Sequence, residues 1–254
     1  MNATRYQVRR ERGVLEAGWL HANFSFSFGG FVHPHGDRFG PLLALNEDRV
    51  QPGTGFPMHP HRDLEILMLP LEGAIAHEDS LGHRLTVHTG QALWMRAGAG
   101  IAHSQFNASA AQLDHHLQLW IEPDQRGLAP AVRLATLQPP LAGRWQSLAA
   151  PHGAPLPLAQ AARVQLGRAA QDHPLPLQLG PATAGYLHVA RGTCRVEFPD
   201  GTQEELGTGE ALALASLEGQ AVLAAAQDCD VLLVDFPDSL LLRNRTNAAV
   251  RAGR

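Results

Sequence analysis

At 254 residues the chain can bury a substantial core, as one large domain or two of ordinary size. A formal charge of -4 argues against nucleic acid as the main partner, since a phosphate-binding face needs a marked basic excess, and favours a small molecule. The 20 basic residues are all arginine, which excludes lysine Schiff bases, lysine nucleophiles and Walker-type phosphate loops.

From the N-terminus, Arg5, Arg9, Arg10 and Arg12 read, like Arg243, Arg245, Arg251 and Arg254 at the other end, as solvated and partly frayed termini. There is no apolar leader and no apolar run long enough for a bilayer, so a soluble, cytoplasmic chain is expected, with a monomer preferred. His33-Pro34-His35 lies in a Gly-rich loop, 29–40, and reads as loop histidines near a pocket entrance. Segments 64–71 (LEILMLPL), 74–78, 83–88 and 91–96, separated by turns at Glu72-Gly73 and at 79–82, read as successive antiparallel strands of a barrel or sandwich. In 113–121 (LDHHLQLWI), alternation puts Leu113, Leu117, Leu119 and Ile121 on one face, with His115 among them.

Segments 72–93 and 191–212 align without a gap: Gly73 with Gly192, Gly82 with Gly201, Thr89-Gly90 with Thr208-Gly209, and Ala92-Leu93 with Ala211-Leu212. One barrel, duplicated, is the reading. The Pro- and Ala-rich stretch 123–160 reads as the boundary, and 138–157 as a linker with at most short helical pieces. The two cysteines, Cys194 and Cys229, are too few and too far apart for a disulfide framework or a Cys-rich zinc site, so two buried thiols are expected.

Of the 14 histidines, most fall between His21 and His116, and two of them form His59-Pro60-His61. Residues two apart on a strand share a face, so both imidazoles can reach one ion, and the turn-rich 97–100 (AGAG) would bring His103 across the barrel mouth to join them. Three convergent imidazoles suit Fe, Ni, Cu, Zn or Mn. At the repeat offset the positions equivalent to these three are Gln178, Gly180 and Val222, so the ion is expected in the first barrel alone. His77, His83, His88, His115 and His116 read as mostly structural.

At these residues the sequence resembles the pirin family. FGPLLALNEDRVQPGTGFPMHPHRDLEILMLPLEGAIAHEDSLG (39–82) is similar to the family's N-terminal signature, as are AGAGIAHSQFN (97–107) and LQLWI (117–121). The resemblance implies an all-β chain of two cupin barrels: 1–122 with the metal site, 123–160 as linker, and 161–254 without metal. It further implies one divalent transition metal ion and, in several bacterial members, quercetin 2,3-dioxygenase activity, in which O2 opens a flavonol's heterocycle with loss of carbon monoxide. Eukaryotic relatives are nuclear, iron-bearing cofactors of transcription factors. Carried over, the metal ligands are His59, His61, His103 and position 105, where the family has glutamate and this chain has Gln105. A neutral amide leaves the ion's charge uncompensated and does not titrate, so weaker metal retention is expected, and no proton acceptor stands there. Glu65, four residues after His61 and placed by strand alternation on the same face as His59 and His61, is a candidate substitute ligand or base, or equally an outlying carboxylate. Phe24, Phe39, Met58 and Phe106 are candidates for an apolar pocket wall around a flavonol-like ligand. The competing reading is a non-catalytic, metal- or redox-responsive binding protein.

Overall fold

The structure, a computed structural model, describes residues 4–34 and 36–241; His35 and the arginines from Arg243 onward lie outside the described residues. Among the described residues there are 22 strands. In chain order they begin with β1 (Arg5–Arg9), β2 (Gly13–Glu16), β3 (Leu20–Phe24), β4 (Leu42–Val50), β5 (Gly55–His61), β6 (Glu65–Glu72) and β7 (Ala74–Asp79). Next come β8 (Arg84–His88), β9 (Gln91–Arg96), β10 (Ile101–Asn107), β11 (Asp114–Ile121) and β12 (Ala131–Thr136). The rest are β13 (Arg144–Ala150), β14 (Leu156–Pro157), β15 (Arg163–Ala169), β16 (Leu175–Gln178), β17 (Thr183–Arg191), β18 (Thr193–Glu197), β19 (Gln203–Gly207), β20 (Ala211–Ser216), β21 (Gln220–Ala224) and β22 (Cys229–Pro237).

They form two barrels, each a seven-stranded sheet with a four-stranded one. The first combines β12-β9-β6-β11-β4-β3-β2 with β5-β10-β7-β8, and the second β1-β20-β17-β22-β15-β13-β14 with β16-β21-β18-β19. Alternation along β6 explains how both faces of a strand are buried. Ile66 and Met68 point into the first barrel with Ile75, Leu93 and Met95, while Leu67 and Leu69 point out of it, against Tyr186, Leu232 and Val234 of the second half. Burying each such side chain contributes about 1.5–3 kcal/mol, so the seam between barrels is a core in its own right. β11 follows the same rule, with Leu117, Leu119 and Ile121 in the seam and His116, Gln118 and Trp120 on the opposite face.

Two readings of the sequence are corrected. Residues 123–160 are not a plain linker, and 138–157 holds strand where short helical pieces were expected: β12 pairs with β9 of the first barrel, and β13 and β14 join the second. Leu148, Ala149 and Leu156 are fully buried there, and prolines and alanines had hidden that short strand pattern. Nor is the segment carrying Arg5 to Arg12 frayed: β1 crosses to pair with β20 of the second barrel, and Arg12 donates to Glu47 at 2.7 Å, where the Glu47 side chain is 3% exposed. The duplication holds. All three matched glycine pairs have positive φ, and a Cβ on Gly73 or Gly192 would sit 2.4 or 2.7 Å from the carbonyl oxygen of Leu113 or Asp228 respectively, so only glycine fits both turns. No helix of the described residues is long and apolar enough to cross a membrane.

Candidate metal centre

β5 is an edge strand of its sheet, which is why it tolerates Pro57 and Pro60 without losing an interior hydrogen bond. His59 and His61 leave it on the same side, and antiparallel pairing with β10 sets His103 directly opposite His59. Ring centroids are 4.5 Å apart for His59 and His103, 4.8 Å for His59 and His61, and 5.1 Å for His61 and His103. One ligand nitrogen from each lies within 4.8 Å of the others. Among the described residues this is the one cluster of three or more His, Cys, Asp or Glu side chains able to share an ion.

The protonation pattern suits a cation. His59 Nδ1–H donates to the Pro57 carbonyl at 2.7 Å, which leaves Nε2 with its lone pair free. Burial, then the neighbouring His59, lowers the His61 pKa to about 4; burial, then His59 and His61, lowers that of His103 to about 2. Both rings are therefore neutral at physiological pH, the form that binds metal. His61 Nε2 and His103 Nδ1 are buried without a hydrogen-bond partner. Three imidazoles this close together, two of them with an orphaned buried nitrogen, fit a first-row divalent ion.

Gln105 is also buried and faces the same side, beyond an irregularity in the β5–β10 pairing. Its amide is engaged by protein groups. Trp120 Nε1–H donates to Gln118 Oε1 at 2.7 Å, Gln118 Nε2 donates to Gln105 Oε1 at 2.8 Å, and Gln105 Nε2 donates to His116 Nε2 at 2.7 Å. An indole can only donate, so it fixes the direction of the whole chain of amides. His116 completes it, with Nδ1 2.9 Å from Asp114 Oδ2. Burial alone would lower the His116 pKa, but the carboxylates of Asp114 and Asp48 override it and raise it to about 9. In this arrangement Nε2 accepts from the Gln105 NH2, so the amides directed by Trp120 oppose the charging of the ring that the two carboxylates favour.

Glu65 stands elsewhere. The chain reverses between β5 and β6 at Asp63, where φ is 51°, and alternation does not carry across that turn. Glu65 shares the seam face with Leu67, where it accepts from Trp94 Nε1 at 3.0 Å and from the Ala159 amide at 2.9 Å. The structure does not bring it to the histidines.

A cavity of about 240 Å³ opens on the cluster. Leu20, Ala22, Phe24, Phe28, Phe56 and Trp120 give it an apolar wall, with Phe28 edge-on to Trp120 at 5.0 Å. Asn46, Asp48, His59, His61, Gln105 and Gln118 supply its polar lining. Of the wall residues expected from the sequence only Phe24 is there. Phe39 packs against Tyr186 and Phe236 in the seam, and Met58 and Phe106 are 52% and 37% exposed. His33 is buried and bonds to the Glu11 carbonyl rather than facing the cavity. His77, read as structural, lies 5.4 Å from the His103 ring and is held by Asp79 at 2.9 Å. Asp48, Gln118 and Trp120 had no spacing that marked them; only strand parity opposite the histidines could have found them.

In comparisons with known proteins, a family model described as Pirin matches residues 5–121, and one described as Quercetinase C-terminal cupin domain matches residues 148–236. A Zymomonas mobilis protein provisionally named a quercetin 2,3-dioxygenase is 34% identical over 87% of this chain and 93% of its own length. The Escherichia coli protein named quercetin 2,3-dioxygenase is 41% identical over 47% of this chain and 52% of its own. Over this and several other curated relatives the match spans about half of their length. Among solved structures, the bacterial pirin YhhW from Escherichia coli in complex with nickel(II) superposes with a TM-score of 0.82 at 29% identity, covering 92% of this chain and 99% of that one.

Proposed function

The chain belongs to the pirin family of two-barrel cupins, and from that premise we propose that it is a metal-dependent dioxygenase of flavonol-type substrates. In this reading His59, His61 and His103 hold one divalent ion, nickel or iron, and Gln105 stands beside it as a neutral fourth group. The observation that carries it is the meeting of three imidazoles, two of them with a buried unpartnered nitrogen, beside an aromatic-lined cavity. Nickel(II) in the YhhW complex and the activity named for the Escherichia coli relative support the choice of metal and substrate.

A bound divalent ion would supply Lewis acidity toward the hydroxyl and carbonyl oxygens of the flavonol. The chain's own part is binding and orientation. Phe24, Phe28, Phe56 and Trp120 offer flat apolar surface to a planar ring system and keep water from it. The Trp120-anchored amides hold the Gln105 carbonyl turned toward Gln118 rather than toward solvent. The cavity volume of about 240 Å³ falls just below the usual span of ligand pockets, roughly 300–1,000 Å³, which favours a single compact aromatic molecule.

Aerobic incubation of quercetin with protein reconstituted with iron(II) or nickel(II), followed by absorbance loss and carbon monoxide release, tests this. Turnover is expected, falling on the order of a hundredfold or more in His103→Ala; no turnover with any first-row divalent ion ends the dioxygenase reading. The neutral Gln105 favours one second reading, a metal-responsive protein without catalysis, which the same samples would reveal as stoichiometric metal with intact quercetin.

A further inference from the structure

β4 enters the cavity with two acceptors on one face, Asn46 and Asp48, paired in register with Gln118 and His116 of β11. Asn46 is 3% exposed, and its side-chain oxygen is buried with no hydrogen-bond partner. Asp48 is 4% exposed and is the one carboxylate among the residues lining the cavity. Its ion-pair partner among the described residues is His116, whose Nε2 lies 3.5 Å from Oδ2, at the outer limit of a hydrogen bond, so Oδ1 keeps acceptor capacity for a ligand. Opposite, the Gln105 oxygen is occupied by Gln118. A buried orphan acceptor costs roughly 1–3 kcal/mol, and a ligand that brings a donor recovers it.

We propose that Asn46 and Asp48 form an acceptor edge that selects a planar aromatic ligand carrying a hydroxyl group, Asp48 taking the hydrogen bond in place of the carboxylate that Gln105 does not provide. The proposal rests on the flavonol reading for the class of ligand, but it assigns the selection to residues that touch none of the three histidines' metal-facing nitrogens. It predicts discrimination between a hydroxylated aromatic and its bare analogue even without metal. A site built to hydrogen-bond a hydroxyl rejects the analogue lacking it far more strongly than apolar packing does.

The test is calorimetric titration of chelator-treated, metal-free protein with 3-hydroxyflavone and with flavone. Wild-type protein is expected to bind 3-hydroxyflavone at least tenfold more tightly, and Asp48→Asn to reduce that preference to within about threefold, because a charge-assisted hydrogen bond becomes a neutral one. Nickel content of the same variant is expected to match wild type, and a cooperative melting transition shows that it is folded. Equal binding of the two ligands by wild-type protein overturns the proposal without recourse to any variant, as does a full preference surviving in a folded Asp48→Asn. Failure of the dioxygenase reading is separable: it shows as absent turnover in metal-loaded protein whatever the metal-free titrations give.

Discussion

At position 105 a carboxamide stands where a carboxylate would offset part of the ion's charge, and it is wired through Gln118 to Trp120 and through His116 to Asp114. Replacing it with Gln105→Glu keeps the shape, adds the missing charge, and lets a protonated His116 donate to it. Nickel affinity should rise on the order of tenfold, read by competition with a chromophoric chelator; unchanged affinity would mean that residue 105 does not feel the ion. His188 presents a different residue-scale consequence. It is fully buried with neither ring nitrogen partnered, and burial, then the Arg12 charge, lowers its pKa to about 3. The unfolded chain binds a proton near pH 6.5 while the folded one refuses it, so the stability present above that pH is lost as pH falls toward 3. At pH 5 the loss is about 2 kcal/mol. His188→Leu should therefore raise the melting temperature more at pH 5 than at pH 7.5, and an equal shift at both would refute the assignment. The histidine cluster was legible because strand period and spacing alone fix three imidazoles on one side. Glu65 was misplaced because parity was carried through a turn that resets it, and Asp48 was invisible because nothing in the charged run Glu47-Asp48-Arg49 marks which member faces a cavity.

At the scale of elements, β10 carries both His103 and Gln105, and its entry is set by the turn at 97–100. Gly98 has φ +48°, and a Cβ there would lie 2.0 Å from the Leu128 carbonyl oxygen, at the approach to β12. Gly98→Ala must shift that backbone, so a loss well beyond the roughly 1–2 kcal/mol of left-handed strain is expected, with weaker nickel binding because His103 moves with the strand. Gly153→Ala is the control. It has φ +73° with nothing within 4 Å, so it should cost the strain alone; equal melting temperatures for the two variants would show that the Leu128 contact yields. In the first barrel, β6 to β9 and β11 were readable as apolar runs between turns. Strands β12, β13 and β14 were not, because they are short and set among proline-rich connections, and pairing to distant strands supplies the order that local sequence lacks.

For the molecule as a whole, duplication was visible in paired glycines, but the way the halves bind each other was not. A strand from the start of the chain completes the second barrel's sheet, and β12, beyond the expected boundary, completes the first. Between them lies a seam that includes Leu45, Leu67, Trp94 and Leu117 on one side and Tyr186, Val234 and Phe236 on the other. Arg12 and His115 meet across Glu47 beside it, holding that carboxylate well below its usual pKa range against the opposing effect of burial. A fragment ending at residue 122 would keep every metal-cluster residue yet lose β12 from β9 and uncover the seam face, including Glu65 without its Ala159 partner. Exposed apolar area of that kind drives association. The 1–122 fragment is expected to elute as aggregate and to melt without a cooperative transition, whereas a nick at 122 in the folded chain should leave the two pieces associated. A monomeric 1–122 fragment with a sharp melting transition and nickel bound at full stoichiometry would show instead that the first barrel is self-sufficient and that the seam only joins two independent domains.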